Sequence, residues 1–252
     1  MLAESNLSKS YRKAELPADC FPGRPPQTKT EASQKMEFPF PPATPGAVAL
    51  LQLLVTSNVA DLEAITTLIR NDLGLTVQLL GLAFGQACER RTRHLSVGEL
   101  VVHLGLEKLR TMAAESQVLS CPPGGDARFR ACKAFWIEAR RRARAAEELA
   151  AGTSAAIRDT AYVAGLLCRI GMLPALLNWK VPGIESANPA EIGSHMLKAW
   201  NFPPVLVELV RGDEGACTSG KTRRLLRLIR AADRQVAAAE SIRVANRIPS
   251  WP

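Results

Sequence analysis

Histidine is scarce in this chain of 252 residues, which has three, at positions 94, 103 and 195. A di-metal hydrolase needs most of its histidines to converge beside carboxylates, so this count leaves little from which to build one. The six cysteines, at 20, 88, 121, 132, 168 and 217, include no C-x-x-C pair. That speaks against a zinc knuckle and a disulfide framework, and points to reduced thiols packed as small hydrophobes. No run of eighteen apolar residues occurs, so no segment is expected to span a membrane. Lys9, Arg12 and Lys13 have no apolar stretch behind them, so no secretory signal is expected, and the expected location is the cytoplasm. A G-x-S-x-G elbow is also absent, and His94, His103 and His195 stand in no context that implies a catalytic triad.

What is present favours helix. Ala, Leu and Arg dominate, aromatics make up 5%, and no alternating strand pattern of useful length is visible. The predicted fold class is all-α. The net charge of +8 permits an acidic partner, and arginines cluster at 90–93, 140–144 and 223–230. In an Arg- and Ala-rich chain such clusters are ordinarily solvated helix faces. Nucleic acid therefore stays an alternative partner, to be tested by whether the clusters share one face.

Residues 1 to 44 read as a disordered, Pro-rich leader, with Phe38, Phe40 and Pro41 placed to dock as a strap. Folded structure is expected from near Gly46, where Val48, Leu51, Leu54 and Val55 begin a helical period. Asp61 and Asp72 suit helix N-caps, and Ser96 suits a third, for a short helix through His103. Glu107 begins the next, to about Leu119. Cys121-Pro122-Pro123-Gly124-Gly125-Asp126 is the clearest loop, dividing an N-terminal lobe (45–120) from a C-terminal one (127–240), before a tail at 241–252. A long helix from Arg128 to Ala151 is expected to turn Phe135, Trp136 and Ile137 inward and its arginines outward. Shorter helices follow at 156–167, 172–179, 189–200 and from Pro203-Pro204, and the last runs from Thr222 to Ala245. His103 reads as a core histidine, His195 as packing or exposed, and Trp136, Trp179 and Trp200 as anchors.

Several segments carry a resemblance. Ile69 to Leu75 followed by Leu79 to Ala83, then Ser96 to Gly105, then Gly165-Leu166-Leu167-Cys168-Arg169-Ile170-Gly171, then Ala190-Glu191-Ile192-Gly193 leading to Trp200-Asn201-Phe202-Pro203, stand in one order. That series resembles the HDOD domain, a mostly non-catalytic bacterial signalling relative of the HD metal-dependent phosphohydrolases. Leu73 stands where the family's Pro usually does, and Phe84 where its Asn does. In HD hydrolases the two positions before Ile-Gly are metal-binding His and Asp; here they are Cys168 and Arg169. A guanidinium offers no lone pair and cannot replace a carboxylate. Pro189 stands where relatives begin the "H-A-E" segment with His. Gly212 and Asp213 stand at the end of the family's "I-x-x-H-H" segment, and Asp233 matches the late acidic position.

The resemblance implies a two-lobed helical module and a degenerate pocket at Cys168, Arg169, Pro189, Asp213 and Asp233. By the same resemblance it is expected to bind no metal, to need no cofactor and not to be an enzyme. Its expected partner is a protein in a signalling pathway, supplied in trans, with a nucleotide messenger as the second reading. Arg169 either pairs with Asp233 across the old metal position or offers its fork to a phosphate. A metal-dependent hydrolase is the competing class.

One motif needs separate weighing. Gly215 to Thr222 fits the phosphate-cradling pattern G-x-x-x-x-G-K-[ST]. That loop depends on a buried parallel strand feeding into it, whereas the residues before Gly215 read as helix and turn. An interhelical loop is the expected outcome.

Overall fold

A computed structural model describes residues 38–57, 61–85, 95–120, 127–179 and 188–245. The leader up to residue 37, Cys20, Cys88, Cys121, His94, the 90–93 arginines, the Pro-Gly loop and the end of the tail lie outside the described residues.

The helical periods of the sequence become α1 (Pro45–Thr56), α2 (Leu62–Arg70), α3 (Leu73–Gly85), α4 (Val97–Glu115), α5 (Ala127–Leu149), α6 (Ala155–Leu167), α7 (Leu173–Leu177), α8 (Pro189–Ala199), α9 (Pro204–Arg211) and α10 (Gly220–Ala245). A single 3₁₀ turn, Ile170–Met172, links α6 to α7. Among the described residues the only strand-like pairing is one parallel bridge between Ala43 and Val118.

Local chemistry explains most boundaries. Asp61 caps α2 by accepting from the amides of Glu63 and Ala64, both at 3.0 Å. Asp72 caps α3 through the Leu75 amide at 3.0 Å. Pro45, Pro189 and Pro204 each open a helix, where a missing N–H costs nothing and φ is already set. Ser96 precedes α4 without a side-chain capping bond, unlike the expectation. Gly105, at φ 74°, breaks α4 in two, a left-handed conformation that favours glycine. The second half stops at Glu115 rather than Leu119, because 117–119 is drawn into the bridge with Ala43.

That bridge belongs to a strap. Phe38 is already packed, ahead of the Gly46 start that the periodicity predicts. Phe38 is buried and its carbonyl accepts from Trp200 Nε1 at 2.9 Å. Phe40 lies 5.4 Å from the Trp200 ring. Further along, the Thr44 amide and hydroxyl donate to Asp72 at 3.0 and 2.7 Å. The strap thus ties α8 to the N-terminal helices with backbone bonds that its own sequence has no period to announce.

The buried side chains form one continuous cluster running through both groups of helices. Helix α3 is buried almost all round and forms the centre of the N-terminal group. In the C-terminal group α6 is central, packed on α5 and α10. Ala139, Ala143 and Ala146 give α5 a seam of small side chains against Gly165, so the two backbones meet closely. The span 155–177 is the one described segment that could cross a membrane by length and composition, and most of it is buried inside the fold.

Three inward–outward expectations are corrected. Ile137 is exposed, one position past Trp136 and off the α5 seam. His103 is exposed beside Val102 on the outer face of α4. Arg142, expected outward with its neighbours, is buried at 1% exposure.

Candidate functional site

The carboxyl end of α6 delivers Cys168 and Arg169 to the surface where α5 and α10 pass. Arg169 Nη2 donates to Asp233 Oδ2 at 2.8 Å, joining residues 64 apart in sequence. On the far side of that carboxylate, Arg142 Nε of α5 lies 3.8 Å from Asp233 Oδ1. Arg142 also donates through Nη1 to Glu138 at 3.1 Å, one helical turn back. Asp233 is therefore held between two guanidiniums. Its hydrogen bond is the main reason that the Arg169 guanidinium is pushed up from its ordinary range.

The cluster is incompletely paired. Arg142 Nε and Nη2, and Asp233 Oδ1, are buried without a hydrogen-bond partner. Buried polar atoms without partners are uncommon and costly, so this is a tense spot in the fold. Cys168 contributes a neutral group. Its thiol is enclosed although the residue keeps some exposed surface, and it donates to Gly165 O at 3.3 Å. Burial pushes the thiol up to about 11, with Arg142 pulling the other way, so it carries no thiolate at neutral pH.

Pro189 is brought close by a tight contact. A Cβ on Gly171 would lie 1.8 Å from Pro189 O and 2.5 Å from Gly193 N. The Ile-Gly of the motif thus exists so that the first turn of α8, capped by Asn188, can lie directly on the 3₁₀ turn. Gly212 and Asp213 go elsewhere. Gly212 ends α9 at φ 72°, and Arg230 donates to its carbonyl. Asp213 spends its carboxylate on the amides of Gly215 and Ala216, at 2.9 and 3.3 Å. Of the five candidate residues, Cys168, Arg169 and Asp233 meet, Pro189 packs on Gly171 of the 3₁₀ turn that follows them, and Asp213 serves its own turn.

Sequence reasoning overlooked Arg142, although a signal existed. Phe135, Ala139, Arg142 and Ala146 share one helical face, and an arginine on an apolar stripe with Glu138 one turn back marks an inward, paired charge. The phosphate-loop pattern is an interhelical turn, as expected. Helix α9 precedes it, Thr218 bonds Glu208, and Ser219 caps the Thr222 amide at 3.1 Å.

The sequence pattern of the HDOD domain matches residues 41–180, more than half of the chain. The chain belongs to the HDOD domain family. Its fold is similar to that of the MmoQ response regulator from Methylococcus capsulatus str. Bath. One crystal structure of that protein has TM-score 0.61 and 20% identity, over 79% of this chain and 87% of that one. A fragment, residues 20–298, has TM-score 0.58 and 22% identity, over 77% and 83%. A virulence factor from Campylobacter jejuni subsp. jejuni is similar at TM-score 0.58 and 16% identity, over 78% and 79%. Likenesses at such identity establish a shared fold. No curated protein matches the sequence.

The residues around Asp233 do not suit a divalent cation. Two guanidiniums and a neutral thiol stand around the Asp233 carboxylate, both of its oxygens face arginine, and the nearby Glu138 carboxylate is taken by Arg142. Among the described residues no group of three or more His, Cys, Asp or Glu side chains is placed to hold a metal. The family match ends at 180, so Asp233 and α8 to α10 lie beyond it.

Proposed function

We propose that this protein is a non-catalytic HDOD module of bacterial signal transduction that acts in the cytoplasm by binding a protein partner. The observation that carries this reading is the Arg169–Asp233 pair at 2.8 Å, reinforced by buried Arg142. Arginine stands where a ligand carboxylate would be needed, and it neutralises the acidic residue left behind. Charge that a metal would supply in a hydrolase comes here from the chain itself. A phosphate on the Arg169 fork would have to displace Asp233 from the same nitrogen, which weighs against a nucleotide at that position.

The test is elemental analysis of the purified protein together with phosphoester hydrolysis assays in Mn²⁺, Fe²⁺ and Mg²⁺. The reading expects no stoichiometric metal and no turnover above that of an Asp233→Asn variant. Stoichiometric metal, with hydrolysis that Asp233→Asn abolishes, would overturn it in favour of an HD phosphohydrolase.

A further inference from the structure

Between positions 221 and 234, helix α10 carries Lys221, Arg223, Arg224, Arg227, Arg230 and Arg234, all of them exposed. Arg223, Arg227, Arg230 and Arg234 step by four, three and four residues. That spacing puts them in one row along a single helix face, about 17 Å from end to end. Leu225, Leu226, Ile229, Ala232 and Val236 hold the inward side of the same helix.

The row is short of counter-charge. The one acid in this span, Asp233, is already held by Arg169 and Arg142. Glu214, from the turn before the helix, accepts from Arg227 Nε at 2.6 Å and from Arg230 Nη1 at 3.3 Å. Among the described residues the side chains of Lys221, Arg223, Arg224 and Arg234 have no ion pair or hydrogen bond. Unpaired cations also occur singly, as at Arg158 on α6, but here they flank one another on one helix.

The cations of α5 are engaged by contrast. Lys133 lies over the Phe129 ring at 5.4 Å, Arg141 pairs with Glu240, Arg144 donates to Asn71 at 3.1 Å, and Arg142 is buried. The 140–144 cluster therefore adds little to the α10 row, and a basic face broad enough to follow a nucleic-acid backbone is not built from the two. What remains is a row one helix wide, on which Glu214 shows how a carboxylate is received.

We propose that the outer face of α10 docks an acidic segment of a partner protein, its carboxylates meeting Arg223 and Arg224 at one end of the Glu214 contact and Arg234 at the other. Guanidinium matches carboxylate geometry bidentately. Ala237, Ala238 and Ser241 continue the exposed face with small side chains, so a partner backbone can come close. The inference rests on the partner-binding reading above, and adds where the partner sits and what charge it brings.

The experiment is fluorescence anisotropy on the full chain with three labelled probes. They are a helical peptide of about twelve residues with glutamate at every third or fourth position, its glutamine analogue, and duplex DNA of about twelve base pairs. Saturable binding is expected for the glutamate peptide, falling steeply with salt, and at least about tenfold weaker for the other two. Arg223→Glu/Arg224→Glu/Arg234→Glu should weaken the glutamate peptide by about tenfold or more, and glutamine at the same three positions by about threefold. The control Lys133→Glu/Arg158→Glu/Lys198→Glu makes the same change in net charge at exposed positions off α10, and should weaken it by less than about threefold. Equal losses in the two reversed variants would reduce the effect to overall charge and overturn the proposal. So would no saturable binding, or equal binding of the glutamine analogue. DNA bound more tightly than the peptide, and released by the α10 variant, would make this face a nucleic-acid interface and overturn the protein partner. Each of these failures leaves the non-catalytic reading standing, since metal content and hydrolysis decide that one.

Discussion

Replacing Asp233 by Asn removes one negative charge from between two guanidiniums and keeps the side-chain shape. The two arginines will respond differently. Arg169 is 39% exposed and its partner 28%, so water screens that pair and its loss costs about 0.5–1 kcal/mol. Arg142 is 1% exposed, with Nε and Nη2 already lacking hydrogen-bond partners, and water cannot replace the lost carboxylate. Breaking a fully buried pair typically costs about 3–5 kcal/mol; Glu138 remains at 3.1 Å and Asp233 is partly exposed, which lowers the figure to about 2–3 kcal/mol. At a urea slope of about 2 kcal/mol per molar, loss of both pairs should lower the unfolding midpoint by roughly 1.5 M. Arg169→Ala should lower it by less than half as much. Adding Arg142→Met to Asp233→Asn should recover part of the loss, because the stranded charge leaves with its side chain. Equal midpoint losses for Asp233→Asn and Arg169→Ala would refute the account, since the buried arginine would then contribute nothing.

Three further outcomes follow from the same geometry. The Cys168 thiol titrates near 11 in the fold against 9.0 ordinarily, so its share of stability is whole below pH 9 and lost between pH 9 and 11. That share is roughly 2–3 kcal/mol, and the difference between wild-type and Cys168→Ser stability curves should shrink across this window; a constant difference would contradict the enclosed thiol. Gly171→Ala would force a methyl to within 1.8 Å of Pro189 O, moving the start of α8 and lowering Tm by about 5–15 °C in a calorimetric scan. Asp72→Ala deletes three bonds, from the Leu75 amide and from the Thr44 amide and hydroxyl. The expected cost is about 2–3 kcal/mol, with faster proteolysis at the 38–44 strap, and unchanged cleavage there would show that the strap is held by the Ala43 bridge and its contacts with Trp200 instead.

Helices were legible wherever a local signal governs them. The Asp61 and Asp72 caps, the proline starts of α8 and α9 and the break near Gly105 all act within a turn or two, so neighbouring residues suffice to read them. The motif ending in Ile170-Gly171 was legible as a helix end, but the purpose of its glycine was not. That purpose is the Pro189 carbonyl, which arrives from a helix eighteen positions along the chain. His103 and Ile137 were misread because a single apolar neighbour says little about which face a residue takes. Arg142 was misread because arginine is expected in water, and only the stripe through Phe135, Ala139 and Ala146 overrules that expectation.

The sequence by itself determined an all-helical fold, because helical period and capping are local properties, and its motif order carried the resemblance to the HDOD family. It also offered Asp233 as one of two partners for Arg169, with a phosphate as the other. Only the tertiary structure decided that α5 carries a second, buried guanidinium to the same carboxylate and that Asp213 turns back on its own loop. Those outcomes depend on which helices cross where, and a charge finds its partner by distance in space, which no spacing along the chain encodes.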